Sequence, residues 1–145
     1  MAVADGFGAH RDTAPASAVA IEALTPLDTT IPAGDLLNAL EDAVGYAGEA
    51  LRQLAASDPA MEGMGTTLTA MLWSGSQLAL VHVGDSRVYL LRGGELFQIT
   101  HDHTVVQSMV DEGRITPEEA ASHPQRSILL RQTSCSPPQA ADAAR

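Results

Sequence analysis

The amino-acid sequence predicts an α+β fold in which an antiparallel β-block packs against one long amphipathic helix. Three observations carry that expectation. Leu36, Leu37, Leu40, Val44, Ala47, Leu51 and Leu54 recur at three- and four-residue intervals and make one apolar face. Between Thr66 and Ile99, β-forming runs alternate with glycine-containing turns. Helix-start signals return only after that block, at Thr104 and at Thr116-Pro117-Glu118-Glu119.

In chain order, residues 2–4 are short and apolar and run into Asp5-Gly6-Phe7-Gly8, a strand end entering a glycine-rich turn. A strand that opens a chain with no partner before it leads us to expect missing upstream sequence. Residues 15–24 are alanine-rich with Val19, Ile21 and Leu24, and read as a short helix with Pro15 in its first turn. Pro26 and Pro32 bound a loop. The long helix should run from Asp35, as N-cap, to about Ala56. Gly45 and Gly48 weaken it and would allow close approach to a sheet.

Asp58-Pro59 ends that helix. Strands are expected over Thr66–Trp73 and Leu78–Val83, the second nearly continuous in apolar residues and so buried on both faces. Gly84-Asp85-Ser86 interrupts the run. Strands Arg87–Arg92 and Leu96–Ile99 follow, joined at Gly93-Gly94. The four together read as one antiparallel meander with the long helix on a face. Thr104–Glu112 reads as a helix with Val105, Val106, Met109 and Val110 on one side and Gly113 closing it. A second short helix follows Thr116 and ends near His123-Pro124, and Ser127–Leu130 resumes an apolar segment. Residues 132–145 hold no large aliphatic side chain and read as a disordered, unrelated tail after a domain spanning 1–131.

Composition excludes several functions. The 145 residues make one ordinary domain, and 45% hydrophobic content suffices for a core built of aliphatic rather than aromatic residues. Eight basic against 18 acidic residues give −10, a charge that repels nucleic acid and suits divalent cations wherever carboxylates converge. The lone Cys135 builds no disulfide framework and no thiolate zinc site, which reads as a reduced, cytoplasmic protein. No apolar run reaches the ~18 residues of a membrane span, and the N-terminus lacks a signal-peptide pattern.

Three groups of residues could carry chemistry. Asp5 followed by Gly6 offers a carboxylate and an accessible carbonyl, hard oxygen donors for a cation, although Asp-Gly is also a common turn pair. Asp85, between two apolar strands, calls for a metal or a partner; a local pair with Arg87 is the plain alternative. His101, Asp102, His103 and His123 have the residue types of a zinc site, but solvated or capping roles account for them as well. Gly63-Met64-Gly65-Thr66-Thr67 superficially matches a phosphate-cradling loop, yet it leads into a strand and lacks the lysine.

Read together, these segments resemble a known family. Ala4-Asp5-Gly6-Phe7-Gly8-x-His10 is similar to the first metal motif of bacterial PPM-type (protein phosphatase 2C-like) serine/threonine phosphatases. Glu62-Gly63-Met64-Gly65-Thr66-Thr67 resembles the family's Gly-x-Gly-Thr-Thr strand, and Val81-His82-Val83-Gly84-Asp85-Ser86-Arg87 its Gly-Asp-Ser-Arg strand pair. The pattern continues through Gln98-Ile99-Thr100, His103, Val106-Gln107, Val110-Asp111-Glu112-Gly113, Thr116-Pro117-Glu118-Glu119 and His123-Pro124-Gln125-Arg126. The likeness is dense over 61–131, and before residue 58 it rests on residues 2–10.

The resemblance implies a partial PPM-type β-sandwich, antiparallel sheets flanked by helices. It implies Mn2+ or Mg2+ as cofactor, two core ions and in bacterial members a third, and attack of an activated water on phosphoserine or phosphothreonine. By the same likeness Asp5 is the catalytic carboxylate shared by the two ions and Gly6 contributes its carbonyl through water. Asp85 matches a residue holding the third ion, Ser127 touches that ion, and residues 103–127 form a flap beside the site. The partners implied are phosphorylated proteins, either kinase substrates or the kinases themselves.

Departures accompany the likeness. Ala9 stands where a glycine is usual, and Phe7 occupies the place of the histidine proposed as general acid in eukaryotic members, a role not carried to His10. The family's later aspartate motifs do not follow Arg131, so the chain reads as truncated at both ends. Two functions are therefore carried forward: a metal-dependent phosphatase, and a catalytically inactive remnant that binds partners.

Overall fold

The computed structural model describes residues 1–8 and 13–134. Their regular elements are β1 (Ala2–Val3), β2 (Gly6–Phe7), α1 (Ala14–Glu22), α2 (Leu36–Ser57), β3 (Gly65–Thr66) and β4 (Leu68–Ser74), then β5 (Gln77–Val83), β6 (Tyr89–Arg92), β7 (Glu95–Gln98), α3 (Val105–Asp111), α4 (Pro117–Ser122) and β8 (Thr133–Ser134). Ala9 and His10, and residues 135–145 with Cys135, lie outside the described residues.

The architecture is α+β, antiparallel sheets with helices against one face. β3 and β4 form one central line. β1 and β2 pair along one side of it in a single register, Ala2 opposite Ala70, Val3 opposite Thr69, Gly6 opposite Thr66 and Phe7 opposite Gly65. Along the other side β5 pairs with β4 from Ser74↔Gln77 to Leu68↔Val83, and β8 then pairs with β3 through Thr66↔Thr133. The hand-over falls at Gly84, whose φ of +108° and tight packing exclude a side chain: a Cβ there would lie 2.6 Å from Thr67 Cγ2.

Apolar residues at helical spacing build the core. Leu36, Leu40, Ala43, Ala47 and Leu51 of α2 are buried, and α1 adds Ala16 and Ala20. Leu51 packs with Ala16 and Met64, while Ala20 and Ala47 pack with Leu68 of β4. Alanines at the contacts let the two helices and the sheet approach closely.

Local signals translate directly into caps. Thr104 Oγ1 accepts from the Gln107 N–H at 3.2 Å. Thr116 and Glu119 form a reciprocal capping box, with bonds of 3.2 and 2.8 Å. At the end of α3, the Gly113 N–H donates to Val110 O and the Arg114 N–H to Met109 O, a Schellman closure.

Other expectations are corrected. Among the described residues no ladder joins β5 to β6, so the meander is two separate hairpins. The chain leaves the ladder at Gly84 instead, where the Gly84 carbonyl accepts from the His103 N–H at 2.8 Å and the Gly84 N–H donates to His103 Nδ1 at 3.1 Å. Leu78 is 51% exposed and Ala79–Val83 half-buried, because helices cover one face of β5 only. Asp35 makes no side-chain cap; it ends a 3-10 turn, Ala33–Asp35, that feeds α2. Leu37 is 48% exposed on the outer side of α2. Gly45 faces open space and Gly48 meets only the Arg52 guanidinium, so neither admits the sheet. The expected boundary at 131/132 is passed by β8, in which Thr133 is buried.

Replacing Leu51, fully buried, with alanine should lower the unfolding free energy by about 2–5 kcal/mol in urea titration. Leu37→Ala should change it by no more than about 0.5 kcal/mol.

Candidate functional site

Strand alternation gives the sheet two chemically different faces. Ala4 and Leu68 point into the helical layer, where they meet Ala20 and Ala47. Asp5, Thr67 and Thr69 therefore project from the opposite face, and His82, directly across from Thr69, joins them. Asp5 is exposed there.

Asp5 and Thr67 face each other in the ladder. The Thr67 N–H donates to Asp5 O at 2.9 Å, and the Asp5 N–H donates to Thr67 Oγ1 at 3.1 Å. Because Asp5 is in the hydrogen-bonded pair, the alternation turns the Gly6 carbonyl away from β3, toward the outer side of this edge strand. Thr67 Oγ1 also lies 2.8 Å from Ser86 Oγ. Asp85, exposed between Gly84 and Ser86, is thereby tied to the same patch as Asp5. Ser127 is exposed in the segment that runs beside residues 103–105. Its neighbour Ile128 accepts the Val105 N–H at 2.9 Å, and Leu130 donates to His103 O at 2.7 Å. Hydrogen bonds through Thr67 connect the Asp5 strand with Ser86 beside Asp85, and His103 connects Gly84 with Leu130 of the segment after Ser127.

Arg87 turns from Asp85 and grips Asp102 instead, with Nε 2.9 and 3.0 Å from the two carboxylate oxygens and Nη2 at 2.6 Å. Asp102 is 8% exposed, so this fork compensates a buried charge, and with Tyr89 it makes the guanidinium hold its proton more tightly. The remaining candidates disperse. His101 contacts Asp111 at 2.7 Å, and His123 Nδ1 accepts from the Gln125 N–H. Gln107 and His101 hold the Asp111 carboxyl below its usual range. Among the described residues no group of three or more His, Cys, Asp or Glu side chains converges as a metal cluster.

Sequence reasoning missed a second polar feature. The rings of His82 and His103 stack with centroids 5.0 Å apart. Thr69 Oγ1 lies 2.8 Å from His82 Nδ1 and donates to Ser86 O at 3.2 Å. Among the described residues the buried His82 Nε2 has no hydrogen-bond partner. Burial pushes both histidines below their ordinary range, and for His103 the His82 ring, Arg131 and His101 add to the effect. Asp102 opposes it at both rings and Asp85 at His82. The legible signal was the alternation Thr67-Leu68-Thr69-Ala70, which marks a strand with one apolar and one hydroxyl-lined face.

The candidate donors from Asp5, Gly6 and Asp85 are hard oxygens, two carboxylates and a carbonyl. They fit Mg2+ or Mn2+ by chemistry, and so small a protein donor set leaves most of the coordination sphere to water.

Comparison with known proteins agrees with this architecture. The family model described as Protein phosphatase 2C matches residues 1–135. The serine/threonine protein phosphatase PstP of Mycobacterium tuberculosis is 56% identical over 131 residues, covering 90% of this chain and 26% of the relative. A crystal structure of the M. tuberculosis phosphatase PstP/Ppp superposes with a TM-score of 0.88 at 54% identity, over 95% of this chain and 59% of that one. The PstP catalytic domain in complex with two manganese ions superposes with a TM-score of 0.84 at 49% identity, over 95% and 57%. The fold is thus that of serine/threonine phosphatases. The chain belongs to the protein phosphatase 2C family, and it spans less than two thirds of the length of each of these proteins.

The stacked histidines make a pH prediction. Their folded-state values lie below the ordinary 6.5, so the unfolded chain takes up protons first as pH falls. Their contribution to stability is full above about 6.5 and is lost as pH falls from there through the depressed folded values. Urea midpoints measured from neutral pH downward should decline across that window, and a His82→Gln, His103→Gln double variant should flatten the decline.

Proposed function

We propose that this chain carries the Asp5 portion of a Mn2+- or Mg2+-dependent phosphatase that removes phosphate from serine and threonine of phosphorylated proteins. The observation that carries the reading is the placement of Asp5. An exposed carboxylate stands on the polar face of the sheet, with the Gly6 carbonyl turned outward beside it and the Asp85 loop tied to the same threonine. The PstP structure with two manganese ions supports the choice of cation. A bound divalent cation supplies charge opposite the phosphoryl oxygens and acidifies water. Asp5 and Gly6 would hold the core ions, and Asp85 with Ser127 a third. No helix among the described residues is long and apolar enough to cross a membrane. A cytoplasmic setting, among kinase substrates or the kinases themselves, accords with the single cysteine.

One observation favours a second reading. No cluster of three ligating side chains forms among the described residues, as suits an inactive remnant that binds phosphoproteins without turnover.

Hydrolysis of p-nitrophenyl phosphate by the purified chain, with and without Mn2+, separates the two. The phosphatase reading expects Mn2+-dependent turnover that Asp5→Asn lowers by more than about a hundredfold, the upper end for losing even an indirect partner of a metal. A folded chain without Mn2+-dependent turnover leaves the family assignment standing and makes the chain a phosphatase remnant rather than an enzyme.

A further inference from the structure

We infer that Thr67 is a positioning residue for the cation site: one side chain that sets the spacing between the Asp5 and Asp85 carboxylates. The inference rests on the reading of Asp5 as a cation ligand and names what holds it in place.

Thr67 does something irregular in its ladder. In a regular antiparallel pair the Asp5 N–H would donate to the Thr67 carbonyl. Here it donates to the Thr67 hydroxyl at 3.1 Å, and the carbonyl accepts from Thr66 Oγ1 at 2.8 Å. The return bond, Thr67 N–H to Asp5 O, is kept at 2.9 Å. Asp5 is therefore clamped between the backbone and the side chain of the same residue. A buried hydroxyl has replaced a main-chain acceptor, which leaves it able to reach a third group as well.

That third group is Ser86, whose Oγ lies 2.8 Å from Thr67 Oγ1. One hydroxyl oxygen with two lone pairs and one proton suffices for both contacts: it accepts from Asp5 N–H and exchanges one hydrogen bond with Ser86. The methyl group of Thr67 is used too, because Gly84 packs so closely on Cγ2 that no side chain fits there. Both residues flanking Asp85 thus rest on Thr67, Gly84 on its methyl and Ser86 on its hydroxyl. Thr69 reinforces the arrangement by donating to Ser86 O at 3.2 Å. Thr67 is 2% exposed, so water does not compete for these bonds. Serine would lack the methyl, and valine the hydroxyl.

The test reads Mn2+ affinity of the full chain by titration calorimetry, with circular dichroism as the check of folding. Thr67→Val, which keeps the shape and removes the hydroxyl, should weaken the Mn2+ Kd about tenfold, the lower end for losing a partner that orients a metal ligand. Thr67→Ser should bind within about threefold of the unsubstituted chain. Ser86→Ala, which leaves the Asp5 clamp intact, should weaken binding by an intermediate factor, and adding it to Thr67→Val should cost nothing more because both act through one bond. If Thr67→Val does not fold, Ser86→Ala decides by the same criterion. Wild-type affinity in Thr67→Val or Ser86→Ala, while Asp5→Asn loses binding, overturns the positioning role alone. Unchanged binding in Asp5→Asn, or no binding by the unsubstituted chain, overturns the ligand reading and this inference with it.

Discussion

The pairing of residues 1–7 with residues 65–71 is the constraint on which the site depends. The paired residues are 58 to 70 positions apart, and they are joined in one register. The Met71 N–H donates to Met1 O at 2.8 Å, the N-terminal ammonium returns to Met71 O at 3.0 Å, and the Thr67 N–H donates to Asp5 O at 2.9 Å. Closing so long a loop is entropically unfavourable, and two short strands would not hold it closed unaided. The intervening chain offsets the cost. α1 and α2 bury Ala16, Ala20, Ala47 and Leu51 against Met64 and Leu68, so the segment that must be looped out is the one that supplies the core. A slip of one residue in this register would turn Asp5 into the helical layer and Ala4 to the polar face.

From that register follows a division of labour between the faces. The helical side is built of alanines and leucines and supplies stability. The other side is lined by Thr67, Thr69 and His82, where the Thr67–Ser86 and Thr69–His82 hydrogen bonds offset part of the cost of burial. The departure of the chain at Gly84 then matters twice. It frees the loop bearing Asp85 from the ladder, and it presents the Gly84 backbone to the His103 segment. The Arg87–Asp102 fork anchors that segment a second time, fifteen residues apart in sequence. Asp85 is thereby left without the local arginine that a reading of Gly84-Asp85-Ser86-Arg87 would assign to it.

Much of the fold was legible because its causes are local. Thr104 and Thr116 cap the helices that their spacing announces, and the glycines at 93 and 94, with φ of +62° and +84°, turn the β6–β7 hairpin as a Gly-Gly pair should. Where local reasoning failed, residue type alone did not reveal the competing arrangement. Asp35 has the residue type of an N-cap, but a preceding 3-10 turn holds its backbone in a helical conformation. Leu37 shares the repeat of Leu36 and Leu40, yet it faces outward from α2 while those residues and Ala43 form the buried face. β5 reads as a strand buried on both faces, but only one face has a helical layer.

The candidate site divides the same way. Asp5-Gly6 and Gly84-Asp85-Ser86 announce themselves by residue type, and the likeness to a phosphatase family was carried by such short motifs. The sequence by itself announced the helices with their caps, the strands from β4 to β7 and the residues with the chemistry to hold a hard cation, because each depends on neighbours within a few positions. Only the tertiary structure decided that Thr67 serves both aspartate loops, that Arg87 belongs to Asp102 and that His82 stacks on His103. Those partnerships depend on strand register and on where β5 leaves the ladder, and both are settled by packing between segments that lie far apart in the chain.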